Sequence, residues 1–224
     1  MGVEVLVLDG GSTDNTLEQI ESARKAPAFL RSHKDSGQAA AINEGLSRSS
    51  GDWLAFQNSD DFYMPGAISL VSDFINSANA EGIDLILGGT VFVDEQGEVQ
   101  SIHYQKPISR LAMARRNYIH NQSMFISRSL FEKIGGLDPN LKFCLDYEWF
   151  LRILKQDPKI KIFKRILGAQ RFHSSTKTSN MQDIHDEEFK SVRSKYFTSL
   201  EIALSSAWDP CYRAFRFAWQ RIYA

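Results

Sequence analysis

The chain has 224 residues, with 26 Lys and Arg against 27 Asp and Glu. It is long enough for one domain with a sizeable core, or one domain and an appended tail, and it lacks the global basic field of nucleic-acid binders. Its two cysteines, Cys144 and Cys211, have neither metal-site nor redox-motif spacing, the amino terminus has no basic region followed by an apolar core, and no apolar run approaches the ~20 residues of a spanning helix, so a reducing, cytoplasmic location is expected.

Val3 to Leu8 reads as a strand that ends at Asp9-Gly10-Gly11-Ser12-Thr13-Asp14, where two glycines allow a tight turn and Ser12 or Thr13 can cap the next helix. A second strand around Phe29-Leu30 leads to Asp35-Ser36-Gly37, and Ala39, Ile42 and Leu46 then form a helical stripe. Trp53 to Ser59 follows, an apolar run that stops at Asp60 and Asp61. Apolar residues at nearly every position suit a strand buried on both faces of a parallel sheet, with both carboxylates at its carboxyl end. A helix is expected near Pro65, a strand from Ile83 to Val93, a turn at Asp94 to Gly97 and a return through Val99 and Ile102. Alternating strands and helices to this point indicate the α/β class.

The second half is less regular. A helix from Ile108 to Arg116 precedes His120-Asn121-Gln122 and a strand from Ser123 to Ile126, and the next helix ends at Gly135-Gly136. Asp146 to Arg152 opens a helix with Trp149, Phe150, Ile153 and Leu154 inward, so Asp146 sits at or just before its first turn. A strand near Ile160 to Phe163 follows, and Gln170-Arg171-Phe172-His173 leads into a polar loop.

Ligands of open α/β sheets bind outside the carboxyl ends of the strands, so Asp60 and Asp61 are placed for a divalent cation and the diphosphate it carries. The plainer alternative is that one of them caps a helix. Asp146 has the same alternative, a cap worth about 1 kcal/mol. His120 and Asn121 either border an acceptor pocket or make a turn, and Asn43 either shapes a cleft or bonds a neighbouring backbone segment.

The series Asp9-Gly10-Gly11-Ser12-Thr13-Asp14, Asp35-Ser36-Gly37-Gln38 with Ala41 to Gly45, Asn58-Ser59-Asp60-Asp61, Leu145-Asp146-Tyr147-Glu148 with Leu151-Arg152, and His173 resembles the family 2 glycosyltransferases of the GT-A fold. The resemblance covers roughly residues 3 to 180. It implies a Rossmann-like, mostly parallel sheet flanked by helices over residues 1–184, followed by a helical extension over 185–224. It also implies transfer of a sugar from a nucleotide diphosphate-sugar to an acceptor hydroxyl with inversion, onto a glycan or lipid-linked acceptor of surface polysaccharide or glycoconjugate synthesis. By matching position, Asp9 would contact the nucleotide base, Gly37 and Gln38 would shape the nucleotide cleft, and Asp60 would meet the ribose or sugar. Asp61 would hold Mn²⁺ or Mg²⁺, His173 would approach the metal or diphosphate, and Asp146 would be the catalytic base. Glu148 is the weaker candidate for that base.

Two rival classes compete with this assignment. A phosphatase of the haloacid dehalogenase type needs a second Asp two residues after the first strand's Asp, and Gly11 stands there. A degenerate or truncated GT-A-fold protein without catalytic activity would keep the fold and bind no donor. In the tail, Trp208, Tyr212, Phe215, Phe217 and Trp219 interleave with Arg213, Arg216 and Arg221, the composition of a helix able to lie on the inner face of an anionic membrane. In the family a strand and helix precede the strand at Val3, and that first strand lies between those ending at Asp9 and Asp60. The sequence does not supply it, so the expectation is that the sheet closes up or is filled by another segment, with a narrowed base pocket and weak donor binding.

Overall fold

The computed structural model describes residues 2–172 and 182–206. The chain begins with strand β1 (Leu6–Asp9), helix α1 (Thr16–Glu21), β2 (Phe29–Ser32) and α2 (Gln38–Arg48). β1 and β2 pair in parallel, Leu6 opposite Phe29 and Asp9 opposite Ser32, as a two-stranded sheet. Ala39 and Leu46 turn one face of α2 into the main core, the stripe the helical period calls for.

The remaining strands form a second sheet. β3 (Trp53–Leu54), β4 (Phe62–Tyr63), α3 (Ala67–Ile75), β5 (Leu85–Val93) and β6 (Val99–His103) are followed by α4 (Arg110–Arg115), β7 (Met124–Ser127), α5 (Arg128–Ile134), α6 (Leu145–Leu154), β8 (Ile160–Arg171) and α7 (Gln182–Tyr196). The strand order is β3-β7-β5-β8-β4, with β6 also on β5. Every residue of β5 is buried, which accounts for its unbroken apolar reading. One edge of β5 is shared by β7 and β6, while β8 runs parallel along the other edge, from Ile160 opposite Leu85 to Arg171 opposite Val93.

The α/β class and the helix-flanked GT-A-like arrangement hold, but the sheet is mixed rather than mostly parallel. Among the described residues only β1–β2 and β5–β8 are parallel pairs. The long central strand is also shorter than expected. Only Trp53 and Leu54 pair, against Ser127 and Ile126 of β7, and the chain then leaves the ladder. Asp61 N–H bonds the Asn58 carbonyl and closes a turn, so Asp60 and Asp61 lie between β3 and β4 and not at a helix cap. β8 is longer than expected, because its second half pairs with β4 and β5 and carries the strand to Arg171.

The two sheets neither close up nor receive a filling strand, because no described strand pairs with both β1 and β3. Side chains bridge them instead: the Glu4 carboxylate accepts from Ser50 N–H at 2.7 Å, and Gln38 donates to Asn58 at 2.8 Å. The domain boundary expected after residue 184 falls inside α7. That helix packs on α6 through a Tyr147–Phe189 stack at 5.0 Å and gives Val192 to the main core. The Glu188 carboxylate accepts from the N–H groups of Lys142, Phe143 and Cys144 and so ties α7 to the segment that leads into α6. No described helix is long and apolar enough to cross a membrane. The aromatic tail from Trp208 to Trp219 lies outside the described residues.

Candidate active site

Asp61 is the hub. Its Oδ2 accepts from Gln122 Nε2 at 2.7 Å and Asn58 Nδ2 at 3.0 Å, and its Oδ1 accepts from Arg171 N–H at 3.0 Å. Burial raises its pKa above the ordinary value, with the Asp60 charge adding to the rise, against the pull of those three donors. Gln38, at the first position of α2, joins through Asn58. Gly37 precedes it at φ 121, a conformation that favours glycine, and its N–H bonds Asp35 Oδ1. Arg171 also bonds the Asp60 carbonyl at 3.3 Å and the Asp94 and Glu95 carbonyls, fixing the β5–β6 turn beside the carboxylates.

Asp9 is a different kind of site. Oδ2 accepts from Gly11 N–H, Ser12 N–H and Ser32 Oγ, and Oδ1 accepts from Ser12 Oγ. These bonds, led by the Ser12 hydroxyl, hold the carboxyl well below the usual range. Beneath it the buried Arg31 donates to the carbonyls of Asp9 and His33 and to the carboxylates of Asp35 and Glu44, which fixes the floor of the loop. Asn43 belongs to the scaffold: its amide bonds both Leu137 N–H and Leu137 C=O.

Asp146 is the second residue of α6. Its Oδ1 accepts from Tyr147 N–H at 2.6 Å and its Oδ2 from Asn117 Nδ2 at 3.2 Å. Burial pushes its pKa up to about 6, against the backbone amides of the first turn, the charge of His185 and the Asn117 amide. Glu148, two residues on, is committed to structure. It is 2% exposed, bonds Arg152 at 2.9 Å and accepts from the Tyr196 hydroxyl, while Arg152 reaches the carbonyls of Ile134 and Gly136.

Asn117 and Gln122 link the two half-buried carboxylates. The strap between them carries Asp146 on the first amide and Asp61 on the second. Five residues of chain span at most about 18 Å, which bounds the backbone separation of the two amides. The strap can lie this close because Gly168 of β8 has no side chain: a Cβ there would sit 1.9 Å from the Gln122 carbonyl oxygen. Sequence reasoning did not assign Asn117 or Gln122. The available signal was a pair of amides, Asn121-Gln122, directly before an apolar strand.

Asp61, Asp60, Gln38 and Gly37 thus come together, with Asp146 at the far end of the strap and Asp9 on the neighbouring sheet. His173 lies outside the described residues. A divalent cation fits here. Asp61 is an oxygen ligand oriented by a backbone N–H, and the buried Gln122 Oε1 has no hydrogen-bond partner. Among the described residues no group of three or more His, Cys, Asp and Glu gathers, so diphosphate oxygens and water would complete the shell. An open depression of about 590 Å³ lined by Asp52, Trp53, Ile83, Ser127 and Arg128 lies at the opposite end of the strands, away from these carboxylates.

The family model for glycosyl transferase family 2 matches residues 1–135. An uncharacterized glycosyltransferase of Rickettsia felis is 27% identical over 208 residues, covering 88% of this chain and 34% of that protein. One of Haemophilus influenzae is 29% identical over 216 residues, covering 89% of this chain and 69% of its own length. The chain therefore spans about a third of the Rickettsia felis relative. Among solved structures, S. aureus TarS 1-349 in complex with UDP-GlcNAc superposes with a TM-score of 0.61 at 17% identity, covering 90% of this chain and 60% of that one. The mannosyltransferase PcManGT from Pyrobaculum calidifontis, in complex with GDP-Man and Mn²⁺, gives a TM-score of 0.53 at 14% identity, covering 77% and 48%.

Proposed function

The chain belongs to glycosyl transferase family 2, and on that premise we propose that it transfers a glycosyl group from a nucleotide diphosphate-sugar to an acceptor hydroxyl with inversion, using Asp146 as base and Asp61 at the diphosphate. The observation that carries this reading is the strap: one short segment holds, through Asn117 and Gln122, the two carboxylates whose pKa values burial raises. A displacement with inversion needs a base on one face of the anomeric carbon and charge stabilisation for the leaving group on the other.

Asp146 suits the first task. Tyr147 N–H and Asn117 each hold one of its oxygens, leaving lone pairs to take the acceptor proton as the hydroxyl oxygen attacks and the nucleotide diphosphate departs. A pKa of about 6 leaves it ionised at neutral pH yet more basic than an ordinary carboxylate. Asp61, with Gln122 Oε1 and His173 as further candidates, would hold Mn²⁺ or Mg²⁺. Bound there, the ion supplies Lewis-acid stabilisation of the charge that develops on the diphosphate. Asp60 and Gln38 would hold the ribose or sugar, and Asp9 with Gly37 the base side. The donors and Mn²⁺ in the TarS and PcManGT complexes support a nucleotide-sugar and a metal. The acceptor would be a glycan or a lipid-linked glycan of surface polysaccharide or glycoconjugate synthesis, with peripheral membrane contact through the tail on the cytoplasmic side.

A panel of nucleotide-sugars assayed for hydrolysis with and without Mn²⁺ tests this reading. Turnover of at least one donor, lost in excess chelator, is expected, and full turnover in chelator would contradict the metal role. The alternative, a GT-A-fold protein without transfer activity, has in its favour that the protein's own donors occupy both Asp61 oxygens. Thermal shift separates the two, because a donor with Mn²⁺ raises the melting temperature only where a donor site is intact.

A further inference from the structure

Beside the strap and the end of β8 lies a cluster of rings that the roles above leave unused. Phe92 of β5 and Phe172, directly after β8, stack at 5.4 Å between centroids and 20° between planes. His103 of β6 and His120 of the strap meet Phe92 edge-on at 4.5 and 5.1 Å, and lie 5.7 Å from each other. Phe92 is buried, whereas Phe172 is 44% exposed with one face resting on Phe92. Tyr104, beside His103, is 63% exposed.

The chain fixes where this platform lies. Phe172 follows Arg171, whose N–H holds Asp61, and His120 stands on the strap between Asn117, which holds Asp146, and Gln122, which holds Asp61.

Resting on the glycosyltransferase reading, we propose that the exposed parts of Phe172 and His103, backed by Phe92 and His120, form the subsite for the acceptor's pyranose ring. A pyranose presents a flat C–H face that packs on an uncharged aromatic ring, while its hydroxyls project from the rim toward donors and acceptors. A nucleobase would also stack, but its expected place is the neighbouring sheet beside Asp9. The position between base and leaving-group carboxylates is where an attacking hydroxyl must stand.

Saturation-transfer NMR on the full chain tests this, with the methyl pyranosides of glucose, galactose, mannose and N-acetylglucosamine as probes. Transfer to the ring C–H protons of at least one probe is expected in the native chain and in Phe172→Trp, which keeps the ring. Phe172→Leu, which keeps apolar bulk without it, and His103→Ala, on an exposed strand, are each expected to weaken that probe about five-fold, the size of a lost stacking contact. No transfer from any probe, equal affinity in Phe172→Leu and Phe172→Trp, or displacement of the pyranoside by UMP would each overturn the subsite. Nucleotide-sugar hydrolysis, measured separately, reports on the enzymatic reading: donor turnover with no pyranoside contact leaves that reading standing and removes only the subsite.

Discussion

The two sheets treat the same side chain in opposite ways. On the β1–β2 sheet, Asp9 and Asp14 are satisfied chiefly by the turns that follow them: Asp9 by Gly11 and Ser12, with Ser32 of β2 added, and Asp14 by the Thr16 N–H and hydroxyl. Both are held below the ordinary pKa, led by a side-chain hydroxyl in each case. On the β5–β8 side, Asp61 and Asp146 are half-buried and raised, and beyond their local bonds to Asn58 and Tyr147 each is held by residues distant in sequence. A carboxylate that its own turn satisfies belongs to a loop that holds shape. One that burial makes basic or cation-seeking is suited to chemistry.

The largest expected break falls on the second sheet. Asp61→Ala should abolish metal-dependent turnover, because the charge on the departing diphosphate is then uncompensated, and a chelator-resistant residual rate equal to the native rate would refute this. Asp146→Asn should cut turnover by about 10² or more with donor affinity nearly intact, as loss of a base does. An equal loss of donor affinity would make it a binding residue. Next in size is Gly168→Ala. The strap must move to admit a Cβ, and denaturant unfolding should show a loss of about 2–3 kcal/mol, typical of forced overpacking.

Smaller effects sharpen the comparison through the sign of the pH dependence. The folded pKa of Asp146, about 6, lies above the unfolded value of 3.8, so ionised Asp146 destabilises the fold as pH rises between the two. Asp146→Asn should therefore stabilise the protein above pH 6, by at most about 2–3 kcal/mol, and have little effect below pH 4. Asp9 has the reverse sign. Its folded pKa lies below the unfolded value, so its contribution is present above pH 4 and is lost in acid, and Asp9→Asn should destabilise at neutral pH, by a small amount because solvent screens the carboxylate in part. Urea midpoints across pH check both.

The strand-turn-helix order of the first 100 residues was legible because each element carries its own period and punctuation. α3 begins just beyond Pro65, and β5 and β6 flank the turn at Asp94 to Gly97 as read. The length of β3 was not legible. Apolar character from Trp53 to Phe56 reports packing, and Phe56 is half-buried against the main core, with its ring 6.0 Å from that of Trp149, without a strand partner. The sheet's direction was equally hidden, since an apolar run does not tell a parallel neighbour from an antiparallel one. At the site, the carboxylates could be found by motif, but Asn117 and Gln122 could not, because their meaning lies in contacts 29 and 61 residues away in sequence.

The pH dependence of turnover tests the role of Asp146 most directly. With a nucleotide-sugar that the chain accepts, the native rate should fall on the acid side with an apparent pKa near 6, the value burial imposes on Asp146. Asp146→Asn should lose that limb while donor affinity, measured by titration at the same pH values, stays as in the native chain. An acid limb near 4, or a limb near 6 that survives in Asp146→Asn, would contradict the assignment of Asp146 as the base.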